Sequence, residues 1–128
     1  MANAAPKLLI VGSINRDLIF YGPHGSQMKP NACLVFDSWA AYHGGKGANQ
    51  AAAAAVLGAH PTLVGAVGSD PAGEEIASAL KALGVDVSGV ARVADTQTGL
   101  SAIFTMPGWV LRGHQCAGGP MDASPRPW

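Results

Sequence analysis

Apolar residues gather in two continuous runs and one helical stripe, and these set the frame of the chain. Leu8-Leu9-Ile10-Val11 is uninterrupted, which predicts a strand buried on both faces, as in a parallel sheet. Thr62-Leu63-Val64-Gly65-Ala66-Val67 predicts a second such strand. Between them an alanine-rich segment predicts a helix over residues 48–57, stopped by Gly58 and Pro61. Asp70 followed by Pro71 marks another helix start, with the aspartate as N-cap and the proline in the first helical position. Glu74 and Glu75 favour the positive end of that helix. Ile76, Leu80 and Leu83 give it an apolar stripe, and Gly84 ends it. Residues 98–105 form a further strand. Strand, helix, strand, helix in this order imply right-handed crossovers and an α/β fold around a parallel sheet.

The stretches between these elements carry the candidate chemistry. Asn15 and Asp17 follow the first strand, where open α/β sheets bind ligands. Two apart in extended backbone, they point the same way. A carboxylate beside an amide grips neighbouring hydroxyls, although both residues also suit a plain turn. Residues 18–43 alternate short apolar pieces with turn formers, and 32–39 read as an edge or lid strand. Then His43-Gly44-Gly45-Lys46-Gly47-Ala48-Asn49-Gln50 places three glycines within four residues at the mouth of the alanine-rich helix. Such glycines allow close backbone approach to a ligand, and the helix start offers N–H groups to an oxygen-rich partner. Tight packing of loop against helix is the plainer alternative.

Composition narrows the classes. Eight basic and eight acidic residues cancel, so no basic stripe points to nucleic acid or an anionic membrane. No segment has the length and apolarity of a bilayer span. The N-terminus lacks the pattern of a secretory signal. Cys33 and Cys116 match neither a metal spacing nor a disulfide framework. A cytoplasmic chain of one domain at most is expected. A dinucleotide-binding module is excluded by order, because the glycine motif does not follow the first strand and no acidic residue closes the second.

Taken together, residues 8–105 resemble the N-terminal third of ribokinase and the related PfkB-type sugar kinases. The resemblance rests on Val11-Gly12-Ser13-Ile14-Asn15-Arg16-Asp17 and on Gly44-Gly45-Lys46-Gly47-Ala48-Asn49-Gln50-Ala51. Gly58 and Gly68, the segment Gly84-Val85-Asp86-Val87-Ser88-Gly89-Val90, and Thr98-Gly99 extend it. It implies a ribokinase-like α/β fold, here incomplete: part of a Rossmann-like parallel-sheet sandwich with a small β-lid. It further implies that Asn15 and Asp17 hold sugar hydroxyls, that Gly44, Gly45 and Lys46 pass close to the sugar, and that Asn49 hydrogen-bonds it. Ser101 and Ile103 fall where the lid covers the sugar. D-ribose is the implied substrate, and pairing of two chains through their lids is an implied contact. His43, Cys33 and the tryptophans are left structural.

The departures matter as much. Gly22-Pro23-His24-Gly25-Ser26-Gln27 stands where the family often has a Pro-Gly-Glu-Thr turn, which leaves lid geometry and sugar choice open. The family's catalytic aspartate lies in a late Gly-Ala-Gly-Asp segment that this sequence lacks; Gly68-Ser69-Asp70 reads as a helix cap instead. The ATP pocket and the magnesium and monovalent-cation sites of the family also lie in later segments. The resemblance therefore implies the acceptor side of the reaction only, with no catalytic residue, cofactor site or metal site, and a chain inactive alone. Residues 107–128, rich in Gly and Pro, read as an irregular tail. They have the texture of a displaced reading frame or an alternative exon, since a shifted frame from the Arg112 codon permits Val-Val-Ile-Ser-Ala.

Overall fold

The computed structural model describes residues 5–23, 33–106 and 108–115. The elements are β1 (Lys7–Val11), β2 (Asn15–Tyr21), β3 (Ser38–Gly44), α1 (Lys46–Val56), β4 (His60–Gly68), α2 (Pro71–Ala82), β5 (Asp86–Val93), β6 (Gly99–Met106) and β7 (Trp109–Gln115). They form two sheets. A three-stranded parallel sheet runs β1-β4-β5, and a four-stranded sheet runs β3-β2-β6-β7. In the second sheet β2 and β6 are parallel, while β3 and β7 flank them antiparallel.

The predicted strands and helices of the parallel layer are present. α1 begins two residues before the predicted start, at Lys46, because Gly45 (φ 98°) turns the chain into the helix without a side-chain cap. Asp70 caps α2 as expected, its Oδ1 accepting from the Gly73 N–H at 2.9 Å with Pro71 behind it. Ile14, Ala48, Ala51, Leu63, Val67, Ile76, Leu80 and Val85 form one core between the two helices and one face of the parallel sheet.

Three expectations are corrected. β1 is not buried on both faces: Leu9 is 70% and Val11 74% exposed, because both described helices lie on the side of Leu63 and Val67. Leu83, assigned to the apolar stripe of α2, is its C-cap and is 49% exposed, since the helix has ended before it can turn that side chain inward. The segment after Met106 is not irregular throughout. Gly108 (φ 97°) turns the chain, and β7 pairs with β6 from Met106↔Trp109 to Leu100↔Gln115. Residues 116–128, the rest of the predicted tail, lie outside the described residues.

The second sheet was the less legible part. Lid strand β3 begins at Ser38, later than the 32–39 segment assigned to it. β2 spans Asn15–Tyr21, joining the polar residues read as a sugar-binding turn to the first of the short apolar pieces in one strand. This sheet rises from the carboxyl end of the parallel one: only Gly12-Ser13-Ile14 separate β1 from β2. The Gly12 N–H still donates to Val64 O at 3.0 Å, so the turn grows directly out of the β1–β4 ladder.

Candidate functional site

The site forms where β2 leaves the parallel sheet, β3 ends and α1 begins. Asn15 opens β2, paired with Gly44 on one side and Gly99 on the other. Asp17 is one pleat further, between Tyr42 of β3 and Ser101 of β6. Alternation along the strand places Asn15 and Asp17 on one face, as predicted. The Asp17 carboxylate leans over Gly44. A Cβ on that glycine would lie 2.2 Å from Oδ2 and 2.5 Å from Oδ1, so the carboxylate can lie there only while position 44 has no side chain. Asp17 Oδ1 is buried with no hydrogen-bond partner among the described residues. A buried, unsatisfied carboxylate oxygen is costly unless something donates to it.

The other predicted residues distribute around this carboxylate. Gly44 is the buried last residue of β3, and Gly45 is the N-cap of α1. Lys46 and Asn49 are exposed on the first turn of α1. Ser101, in register with Asp17, is 1% exposed and has interactions of its own. Ile103, half-buried, pairs with Ile19 two residues further along the same face. Asn15, Asp17 and Gly44 are thus brought together directly, while Lys46 and Asn49 are exposed on the helix that follows Gly44 and Gly45.

One expectation about the helix start is overturned. The N-terminal N–H groups of α1 are largely not available to an external oxygen-rich group. The Lys46 N–H donates to Ser13 Oγ at 3.0 Å and the Ala48 N–H to Ser13 O at 3.2 Å. The glycines serve the packing alternative here. A Cβ on Gly47 would come within 2.7 Å of Gly12 backbone, and one on Gly45 within 2.4 Å of Ser13 O. The motif clamps helix to turn, and the clamp holds Gly44 beneath Asp17.

Two polar clusters brace this arrangement. Asp70 Oδ2 accepts from the Thr98 N–H at 2.9 Å and Oδ1 from the Thr98 hydroxyl at 2.6 Å, while Thr98 Oγ accepts from the Gly68 N–H at 3.1 Å. Thr98 precedes Gly99, so the cap of α2 also fixes where β6 starts. Partial burial pushes the Asp70 carboxyl up, but hydrogen bonds from Thr98 and Gly73 outweigh it and hold the group below its ordinary 3.8. On the opposite face of the second sheet, Arg16 of β2 forms an ion pair with Glu75 of α2, and His43 Nε2 lies 3.3 Å from the other oxygen of Glu75. Hydrogen bonding from Arg16, then from His43, lowers the Glu75 carboxyl below its ordinary value. The Asp70 cap was visible in the sequence, but its link to Thr98, 28 positions away, and the Glu75 cluster, with Arg16 and Glu75 59 positions apart, were not.

A cavity of about 310 Å³ lies at the opposite end of the parallel sheet, lined by Lys7, His60, Pro61, Thr62, Gly84 and Asp86. It sits at the amino ends of the strands, whereas open α/β sheets bind ligands at the carboxyl ends. Among the described residues no three His, Cys, Asp or Glu side chains gather as metal ligands. No helix among them is long and apolar enough to cross a membrane.

A parallel sheet with an antiparallel-edged lid rising from its carboxyl end is an α/β fold of the ribokinase-like class, shared with solved ribokinases. The structure of ribokinase from Cryptococcus neoformans var. grubii in complex with ADP superposes with a TM-score of 0.77 at 30% identity, over 89% of this chain and 35% of that one. That of Arabidopsis thaliana ribokinase complexed with ribose and ATP gives 0.74 at 30%, over 88% and 36%. The profile of the pfkB family of carbohydrate kinases matches residues 5–108, and the chain belongs to this family. Among curated relatives, ribokinase of Bacillus subtilis is 38% identical over 103 residues, covering 79% of this chain and 34% of the relative. Ribokinase of Haemophilus influenzae is 36% identical over 96 residues, 75% and 31%. The chain therefore spans about a third of the length of the relatives it matches.

Proposed function

We propose that this chain carries the sugar-accepting part of a ribokinase-type kinase, whose reaction moves the γ-phosphoryl group of ATP to a pentose hydroxyl, D-ribose giving ribose 5-phosphate. The observation that carries the reading is Asp17: a carboxylate lodged on Gly44 with a buried oxygen lacking a donor. Vicinal hydroxyls are the donors that suit it, since a charge-assisted O–H···O⁻ bond is short and strong. Asn15 on the same strand face and Asn49 in the first turn of α1 both donate and accept, which matches a ligand rich in hydroxyls. Lys46 adds a positive charge at the rim. The ribokinase relatives, one of them with ribose and ATP bound, agree in substrate class.

The described residues do not fit a nucleotide with its magnesium and monovalent cation. The start of α1 is occupied by Ser13, and Asp70 is committed to Gly73 and Thr98. No step through ATP is therefore assigned to these residues, and we infer that the 128-residue chain binds its sugar without phosphorylating it. Calorimetric titration with D-ribose tests the first part: binding is expected, and Asp17→Asn weakens it about 10- to 100-fold, the worth of hydrogen bonds to a charged group. Equal affinity of the variant and the parent refutes the assignment. Ribose-dependent ADP release by the chain alone refutes the second part.

A second reading is favoured by the outer face of the lid. Phe20, Phe36 and Phe104 cluster there with ring centroids 5.2–5.5 Å apart, and Trp39, in register with Phe20, is 65% exposed. Through this face the chain pairs with a second lid, its own or that of a longer kinase subunit. Co-purification of a tagged and an untagged copy, lost in Trp39→Lys, is the expected result.

A further inference from the structure

The face of the lid that carries Asp17 has a second chemical character that the family resemblance did not assign. Tyr42 is the register partner of Asp17 across β2 and β3, which puts their Cβ atoms about 5 Å apart on the same face. Tyr21 stands on that face too, four residues along β2 from Asp17. Its phenol interacts with that of Tyr42. The hydrogen bond, then burial, then the neighbouring phenolate charge raise the Tyr21 hydroxyl above its ordinary 10.0. The row between theirs holds Ile19 and Ala40, with Ile103 the next residue in that row. The face is therefore divided. Its near end is polar, with Asn15, Asp17 and Gly44. Its far end is apolar, with Ile19 and Ile103 and the half-exposed rings of Tyr42 (49%) and Tyr21 (40%).

A furanose or pyranose has the same division, with hydroxyls at its edge and C–H bonds on its face. A carboxylate recognises the edge alone and says little about the ring. An aromatic face beside the carboxylate supplies the missing surface, because its negative π cloud suits the positively polarised C–H bonds. We propose that Tyr42 is a specificity-determining contact of this site, its ring receiving the C–H face of the pentose whose hydroxyls Asp17 holds, with the Tyr21 hydroxyl steadying the ring. The proposal rests on the sugar-accepting reading above and deepens it.

The test is proton NMR of D-ribose titrated with the full chain, using the parent, Tyr42→Phe, Tyr42→Leu, Tyr21→Phe and Asp17→Asn, each checked for fold by circular dichroism. Ring stacking moves the ribose C–H resonances upfield, a readout that a structural role for Tyr42 does not produce. The parent and Tyr42→Phe are expected to show this shift. Tyr42→Leu, which keeps apolar bulk but has no ring, is expected to bind about 2- to 10-fold more weakly, without the shift. Tyr21→Phe is expected to keep the shift and lose part of the affinity. If the parent binds, Asp17→Asn does not, and Tyr42→Leu matches the parent in affinity and shift, the role of Tyr42 is refuted while the sugar reading stands. If the parent does not bind ribose, or Asp17→Asn binds as well as the parent, the sugar reading falls and the role of Tyr42 with it.

Discussion

At the scale of single residues, the site depends on what is left out at Gly44 and on what is held at Asp70. Gly44→Ala drives a methyl into three atoms of the Asp17 carboxylate. Because that carboxylate is the end of a rotatable side chain, the fold absorbs the clash for about 1–2 kcal/mol, but the carboxylate leaves its place. Thermal unfolding is expected to show the modest loss, and ribose titration roughly a tenfold weakening, that of one charged hydrogen bond. Asp70 makes a different prediction. Its folded carboxyl titrates below the ordinary 3.8, so the unfolded chain binds its proton at higher pH than the folded one. The stabilisation is complete above the ordinary value and fades as pH falls through the depressed one. Asp70→Asn keeps an acceptor for the Gly73 N–H but places an amide against the Thr98 N–H. It is expected to cost about 1–3 kcal/mol near neutral pH. The gap between parent and variant should begin to narrow below about pH 4 and close as pH falls through the depressed value. A gap independent of pH down to the acid limit excludes a role for the ionised carboxylate.

At the scale of elements, the lid sheet is tied to the α/β layer by Glu75, which draws Arg16 of β2 and His43 of β3 to one point on α2. Arg16 lies between Asn15 and Asp17, and His43 precedes Gly44, so one exposed carboxylate braces the backbone on either side of the site. Exposed ion pairs contribute little and are screened by salt. Glu75→Gln is therefore expected to lower Tm slightly in dilute buffer and not at all in concentrated salt. Amide exchange in β2 and β3 should quicken while that of β4 stays unchanged; equal protection throughout means that Glu75 braces nothing. This cluster also shows where the sequence became silent. The parallel layer was legible because its signals are local: the Asp70-Pro71 cap, the apolar run of β4, the small-residue helix after the glycines. Asn15, Asp17 and Gly44 were legible through the family motifs, and their common face through the period of a strand. β3 and β7 carry no clean alternation; they are the outer strands of the lid sheet, each paired on one side among the described residues, and need no apolar face of their own to form. Ser38–Gly44 and Trp109–Gln115 become strands by pairing with β2 and β6. Glu75 and Tyr42 gain their meaning only from partners brought in by that pairing.

At the scale of the whole molecule, both helices among the described residues lie on one face of the parallel sheet. Leu63 and Val67 beneath α1 and α2 are fully buried, whereas Leu9 and Val11 on the other face of β1 are 70% and 74% exposed. Among the described residues β1 is also an edge strand, with β4 as its one partner. An exposed, apolar parallel edge is a template for pairing with other chains, and hydrophobic parallel strands ordinarily have both faces covered. The relatives are about three times as long, so the fold class has ample chain with which to cover such a face. Expressed by itself, this 128-residue chain is expected to self-associate as its concentration rises, in sedimentation velocity runs. The double variant Leu9→Lys with Val11→Lys places two like charges along the bare face without touching Leu8, Ile10 or the core beneath the helices. It should remain monomeric over the same range with an unchanged far-ultraviolet spectrum and unchanged ribose binding at Asp17. Association that persists in this variant and disappears instead on Trp39→Lys locates the contact on the lid, and the bare face of β1 is then not what brings the chains together.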